Sequence, residues 1–379
     1  MKDLYEELLK YYRFMVGKIP GEEMFLEAVK QTVEAEDLRI FFLLPFTGHI
    51  MEEKLLPRVA KAGIETDEFE RRARHMVTEG IIMRYSKAGS RAYERGNIAY
   101  MSEQQVRKSV DTPRRRAYAQ FMDALIEGET GSVPNRTPYY RVIPVEGTIS
   151  AEPRIGEVAV NMRVADPRGV LPLDIVSEMV KAEPLVAVAP CYCRSARKIV
   201  GKECGHPLET CFVFNEIAET LLEAGIARQV EHTEALQILE NCEQAGLIHF
   251  IDNVEGHIKS LCNCCACSCV IMSVIKRGGG NAGGPSRFVM EYSSQLCAGH
   301  GLCAEVCPSG ALTFEAGSLT VQHEKCIGCG LCVSRCPEGA LQLVPREKYA
   351  RIYPTNDALW SHISREAVVG MALNKLKRK

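Results

Sequence analysis

All seventeen cysteines of this 379-residue chain lie after residue 190, and they arrive in groups. The last group holds one pattern twice. Residues 297–312 read Cys297-Ala-Gly-His300-Gly-Leu-Cys303-Ala-Glu-Val-Cys307-Pro-Ser-Gly-Ala-Leu312, and Cys326-Ile-Gly-Cys329-Gly-Leu-Cys332-Val-Ser-Arg-Cys336-Pro-Glu-Gly-Ala-Leu341 repeats them at an offset of 29. Cysteine at this density calls for disulfides, metal or redox catalysis. Disulfides are not expected. The amino terminus, Met1-Lys-Asp-Leu-Tyr-Glu-Glu-Leu-Leu-Lys10, carries acids and an amphipathic period where a secretory signal needs a basic start and an apolar run. A cytoplasmic chain with reduced thiols is therefore the expectation. The stretch Ile40-Phe-Phe-Leu-Leu-Pro-Phe46 is short and broken by proline, so no membrane span is expected. A net charge of -2 gives no general pull toward nucleic acid or anionic lipid. The length suggests two or three domains.

The second copy is a full C-x2-C-x2-C-x3-C-P run, the spacing with which closely set thiolates hold an iron–sulfur cluster while the fourth cysteine serves another. Glycines and small residues between the thiolates let the loop wrap a cubane with backbone N–H groups turned toward its sulfurs, and the proline ends that loop. Leu312-Thr-Phe314 and Leu319-Thr-Val321 then read as short strands around a Glu-Ala-Gly turn. Residues 286–345 thus resemble the dicluster 2[4Fe-4S] bacterial-type ferredoxin domain. The resemblance implies that Cys307, Cys326, Cys329 and Cys332 hold one [4Fe-4S] cluster, cluster II, and that Cys297, Cys303 and Cys336 hold cluster I. Its second ligand position is occupied by His300 instead of cysteine. Three arrangements stand open for cluster I: a [3Fe-4S] cluster on three thiolates, a [4Fe-4S] cluster with His300 on its fourth iron, or a cysteine reaching in from elsewhere. A nitrogen in place of a thiolate removes a negative ligand and raises the potential, in the same sense as the exchange in Rieske centres.

The middle of the chain carries Cys191-Tyr-Cys193-Arg, Cys204, Cys211, lone Cys242, and the run Cys262-Asn-Cys264-Cys265-Ala-Cys267-Ser-Cys269. Zinc knuckles favour C-x2-4-C, which this is not. A third iron–sulfur cluster drawn from Cys191, Cys193, Cys204, Cys211, Cys262, Cys264, Cys265, Cys267 and Cys269 suits soft thiolates better; zinc and a redox-active or substrate-binding thiol site are the other readings. Cys242, within a helical pattern, reads as a small buried hydrophobe. Pro184–Pro190 reads as a strand delivering Cys191 and Cys193, Phe212–Ala224 as an amphipathic helix, Thr233 as the cap of the next helix, and 247–252 as a strand after Gly246. From about 140 to 345 the chain resembles uncharacterised anaerobe 4Fe-4S-binding proteins with a CxCR motif and a cysteine-dense run before a ferredoxin domain. That resemblance implies electron transfer and supplies no substrate.

Residues 1–130 read as helices over 3–16, 22–36 and 52–61, then a helix over 67–79 capped by Thr66, then a hairpin from Ile81–Tyr85 and Ala92–Met101. Helix, helix, hairpin is a winged-helix layout. The candidate recognition helix carries Arg71, Arg72, Arg74 and His75, opposed by Glu65, Asp67, Glu68 and Glu70, so protein docking or dimerisation is expected ahead of DNA binding. Arg114–Arg116 reads as a solvated helix face. Thr130–Pro144 reads as an extended connector and the glycine-rich 277–285 as a flexible linker that lacks the ending of a phosphate loop. The tail from Asn356 repeats apolar residues at Trp360, Ile363, Ala367 and Met371 and ends in Lys375, Lys377, Arg378 and Lys379, a packed helix with cations at its carboxyl end.

The expected class is α+β: a helical winged-helix-like domain (1–130), a mixed α/β cysteine-rich domain (131–276), the linker (277–285), the dicluster domain (286–345) and a C-terminal helix (346–379). The expected function is iron–sulfur electron transfer in an anaerobic cytoplasm, as a ferredoxin-type carrier or an electron-transfer subunit of an oxidoreductase, with a redox partner protein. The alternatives are a redox- or iron-sensing transcriptional regulator and an activating or cluster-delivering partner of another enzyme.

Overall fold

The computed structural model describes residues 3–108, 111–129, 135–149 and 170–377. Asp3 opens α1 (Leu4–Val16) by accepting a hydrogen bond from the Tyr5 N–H. The single helix expected over 22–36 is two, α2 (Glu22–Thr32) and α3 (Ala35–Phe41). Val33 turns extended, and Glu34 and Asp37 form a capping box that starts the second. After β1 (His49–Met51) come α4 (Glu52–Lys61) and α5 (Thr66–Thr78). Glu65 holds the cap position of α5, so Thr66 is its first helical residue and not its cap. The hairpin of β2 (Ile82–Lys87) and β3 (Ser90–Arg95) stops sooner than expected. Asn97 accepts from the Tyr100 N–H and begins α6 (Ile98–Arg107), which claims the residues up to Met101. β1, β3 and β2 form an antiparallel sheet, and α7 (Pro113–Glu127) follows, capped by Thr112.

The connector expected over 130–144 contributes a strand, β4 (Tyr140–Ile143), while Thr130–Pro134 lie outside the described residues. Then run α8 (Val176–Lys181), β5 (Val186–Pro190), α9 (Tyr192–Ile199), β6 (Glu209–Phe214), α10 (Asn215–Glu223), β7 (Arg228–Gln229), α11 (His232–Gln244), β8 (Ile248–Asp252), β9 (Ser260–Cys264) and α12 (Val270–Lys276). Phe212–Phe214, expected to open a helix, belong to β6, because this buried apolar run pairs with Val186–Val188 of β5. Thr233 lies inside α11 instead of capping it. In the expected linker, β10 (Gly283–Gly284) pairs parallel with β4. A Cβ on Gly283 would come within 2.7 Å of Ile271 Cγ2 and 2.9 Å of Phe250 Cε1, so the glycine is there for close packing.

β11 (Phe288–Tyr292), α13 (Leu302–Glu305), β12 (Leu312–Glu315), β13 (Ser318–Val321), α14 (Leu331–Ser334), β14 (Leu341–Pro345) and α15 (Asn356–Lys377) complete the chain. The β12–β13 hairpin turns at Ala316 and Gly317, both at positive φ, as a tight two-residue turn requires. On α15, Leu359, Ile363 and Ala367 are buried, whereas Trp360 is half exposed and stacks on Tyr139. The side chains of Met371, Lys375 and Lys377, and residues Arg378 and Lys379, lie outside the described residues.

Two compact units share this α+β chain, and stretch 131–276 contributes to both. The first consists of Met1–Pro134, Pro184–Glu231 and Ser268–Val270. Its core packs Tyr12, Phe25, Phe41, Phe69, Tyr118 and Phe121 with the start of α9, and β5 lies between β6 and β7. The second consists of Asn135–Glu183, His232–Cys267 and Ile271–Lys379. In it β4 and β9 flank β8, β10 adds to the edge of β4, and β11 pairs with β14. Among the described residues, no helix is long and apolar enough to cross a membrane.

Candidate iron–sulfur centres

The loop from Cys326 to Cys332 is held by its carbonyls. Arg346 donates to the Cys326 oxygen, the Ser286 N–H to Ile327 at 3.0 Å, the Ser286 hydroxyl to Gly328 at 2.7 Å and the Val145 N–H to Cys329 at 2.9 Å. With four consecutive carbonyls bonded outward, the peptide N–H groups are available to sulfur, and the Leu331 N–H donates to the Cys329 thiol. Gly328 and Gly330 bend the loop at φ of 68° and 79°. A Cβ on Gly328 would run into the Phe288 carbonyl and the Ser286 hydroxyl, so that turn has room only for glycine.

Cys307, Cys326, Cys329 and Cys332 all line one cavity, open to solvent, whose wall is otherwise largely apolar, with Met290, Ile327 and Leu343 among its residues. Burial pushes the Cys329 thiol up to about 12 despite the Leu331 N–H, and neighbouring Cys326 and Cys307 add to the rise. Cys332 is raised further, by burial first and then by Cys329, Cys326 and Cys307. Buried thiols such as Cys329 and Cys332, which resist ionisation in an apolar wall, become thiolates when a cationic centre replaces their protons. Ligand type, cavity and inward N–H groups fit an iron–sulfur cluster.

The first copy repeats the backbone of the second. Gly299 and Gly301, at φ of 77° and 76°, flank His300 as Gly328 and Gly330 flank Cys329, and α13 packs on α14 as its counterpart. His300 occupies the position of Cys329, yet it is exposed where Cys329 is buried. Cys303 is raised by burial, against the Ala304 N–H, and by the nearby Cys336 and Cys297, so these three thiols form a group. Cys297 is lowered by a hydrogen bond from the Tyr292 hydroxyl and by the Gly299 N–H. Tyr292 ends β11, and nothing in the sequence marks it as a partner of Cys297.

The middle cysteines divide between the units. Cys191 begins α9, Cys193 lies in its first turn, Cys211 faces Ala189 across the β5–β6 ladder, and Cys269 is in the short stretch that belongs to the first unit. All four are buried, and Cys204, in the loop after α9, is partly so. In the second unit, Cys262 and Cys264 sit opposite Phe250 and Ile248 on β9, followed by buried Cys265 and exposed Cys267. Cys242 is buried on α11, as expected of a core residue. Beside Cys191 the structure adds two groups. Arg194, from the CxCR motif, donates to the Thr210 hydroxyl. The Cys191 thiol rises to about 11: its hydrogen bond with Cys193 works downward, the hydrogen bond with Cys211 and burial outweigh it, and Arg194 opposes the rise as the smallest influence. Glu103 on α6 is held up at about 7 by burial, against Arg107. No disulfide joins any of the cysteines.

Residues 319–342 match the family described as 4Fe-4S binding domain. No curated protein and no solved structure matches the chain. The matched segment contains Cys326, Cys329, Cys332 and Cys336, so the chain carries a C-terminal ferredoxin-type domain for at least one [4Fe-4S] cluster.

Proposed function

We propose that the protein transfers single electrons through two iron–sulfur clusters in its C-terminal region, as a carrier or as an electron-transfer subunit of an oxidoreductase, and exchanges them with a redox partner protein. The observation that carries this reading is the cavity lined by Cys307, Cys326, Cys329 and Cys332 around a segment that matches a 4Fe-4S binding domain. These four would hold one [4Fe-4S] cluster. Cys297, Cys303 and Cys336 would hold the other, with His300 at the fourth position of a [4Fe-4S] cluster or left outside a [3Fe-4S] one. When bound, such clusters accept and release one electron with little motion. The chain sets the potential through ligand identity, hydrogen bonds to sulfur and burial.

In that division of labour, Cys329 and Cys332 lie in the drier wall and Cys297 in the wetter one. The Leu331 and Gly299 N–H groups and the Tyr292 hydroxyl stabilise charge on sulfur. The test is protein purified without oxygen, titrated with a low-potential reductant and followed by EPR. Two reducible centres support the reading. An absence of reducible iron, or iron without acid-labile sulfide, overturns it.

A further inference from the structure

We propose that Cys191, Cys193, Cys211 and Cys269 hold an iron–sulfur cluster of their own, enclosed in the first unit. The sulfurs are already in contact: Cys191 shares hydrogen bonds with Cys193 and Cys211, and Cys193 with Cys269. They come from three separate stretches, the β5–α9 junction, β6 and the segment Ser268–Val270, and each residue is at most 5% exposed.

A single buried cysteine is an ordinary small hydrophobe. Four that converge from three stretches are not explained that way, because a thiol is a weak donor and a weak acceptor and gains little from another thiol. A tetrathiolate site gives each of them a strong bond. The surroundings suit it: Ala189, opposite Cys211 on the β5–β6 ladder, is fully buried, as are Ala196 and Phe212 on the same elements as the cysteines, and Arg194 supplies a positive charge facing Cys191. Sets of four cysteine thiolates hold both [2Fe-2S] and [4Fe-4S] clusters. A structural zinc ion favours C-x2-4-C pairs on a turn, whereas the close pair here is C-x-C across the start of a helix.

The proposal narrows nine central cysteines to four and does not depend on the reading of the ferredoxin-type region. The experiment counts iron, acid-labile sulfide and zinc per full-length chain after anaerobic purification. Cys211→Ala and Cys269→Ala are each expected to lose about two to four irons with equal sulfide, while the EPR signals of the C-terminal clusters persist. Cys242→Ala, a buried cysteine on α11, is expected to lose none. The double variant Cys303→Ala, Cys329→Ala removes a thiolate from each of the two C-terminal clusters and still retains about two to four irons; it carries the test should the first two variants misfold. Iron unchanged in Cys211→Ala and Cys269→Ala, zinc lost in place of iron and sulfide, or an iron-free double variant would overturn the proposal. If wild type and double variant hold equal iron, the ferredoxin reading fails and this one stands.

Discussion

At the scale of single residues, His300 sits on a backbone built for cysteine. The glycines on either side hold the same left-handed conformations as those around Cys329, so cysteine fits at 300 without rebuilding the loop. A His300→Cys variant is expected to gain a thiolate at cluster I and to shift that potential downward, because an added negative ligand stabilises the oxidised state. An EPR-monitored titration that finds the potential unchanged or raised would refute a ligand position at 300. Gly328 makes the opposite case. Gly328→Ala places a methyl group against the Phe288 carbonyl and in a left-handed conformation, for a cost above about 1 kcal/mol, and loss of iron from the purified variant is the expected readout.

The ion pair of His75 with Asp37 gives a pH signature in the first unit. His75 is raised by its hydrogen bond to Asp37, at 3.2 Å. Asp37 is pushed up by burial but lowered overall by His75, the Glu34 N–H and Arg72. The histidine's contribution is complete below its unfolded value of about 6.5 and is lost as pH rises through its higher folded value. That of Asp37 is complete above about 3.9 and is lost as pH falls through its lowered value. The His75 side chain is 40% exposed, so solvent screening holds its share under about 1 kcal/mol. Denaturant midpoints of wild type and His75→Gln should differ at pH 6 and converge by pH 9; a gap that widens with pH would contradict this sign.

At the scale of elements, α9 is the part that aims Cys193, and α7 holds it. Arg197 on α9 donates to Asp123 and Glu127 on α7, both at 2.8 Å, and is nearly buried. Asp123→Ala leaves that guanidinium half-paired, at a cost of about 1–3 kcal/mol, and should lower the melting temperature without changing the EPR of the C-terminal clusters. The same elements mark where sequence was readable. Glu52–Lys61 and the β12–β13 hairpin follow from local signals alone, a clear helical period and a glycine turn. Phe212–Phe214 was not readable, since a short apolar run serves a helix or a buried strand equally and only β5 decides between them. The division holds at the sites. The C-terminal ligand pattern is legible because its loop is local, whereas Cys269 meets Cys193 only through the folding of distant segments, which spacing does not encode.

At the scale of the whole molecule, the regulator alternative turns on whether the first unit offers a cationic face. The helix, helix, hairpin order is present, yet Arg71, Arg72 and His75 of α5 are engaged among the described residues, and only exposed Arg74 of that helix's four candidate contacts is not. Arg71 pairs with Glu68 at 2.8 Å, and Arg72 with Asp37 at 3.0 Å and Glu34 at 3.1 Å. Arg84 on β2 pairs with Glu223 and Glu70. Phosphate contacts by these groups would require giving up carboxylates that are already in place. DNA affinity at moderate salt depends on counterion release by free cations, and a chain of net charge -2 has little overall attraction to add. Mobility-shift assays in about 0.15 M salt are therefore expected to show only weak, sequence-independent binding, with Kd above about 10 μM, in the non-specific range. Retention of one promoter fragment over random DNA at that salt would mean that α5 exchanges its carboxylate partners for phosphates, and the electron-transfer reading would then give way to a cluster-sensing regulator.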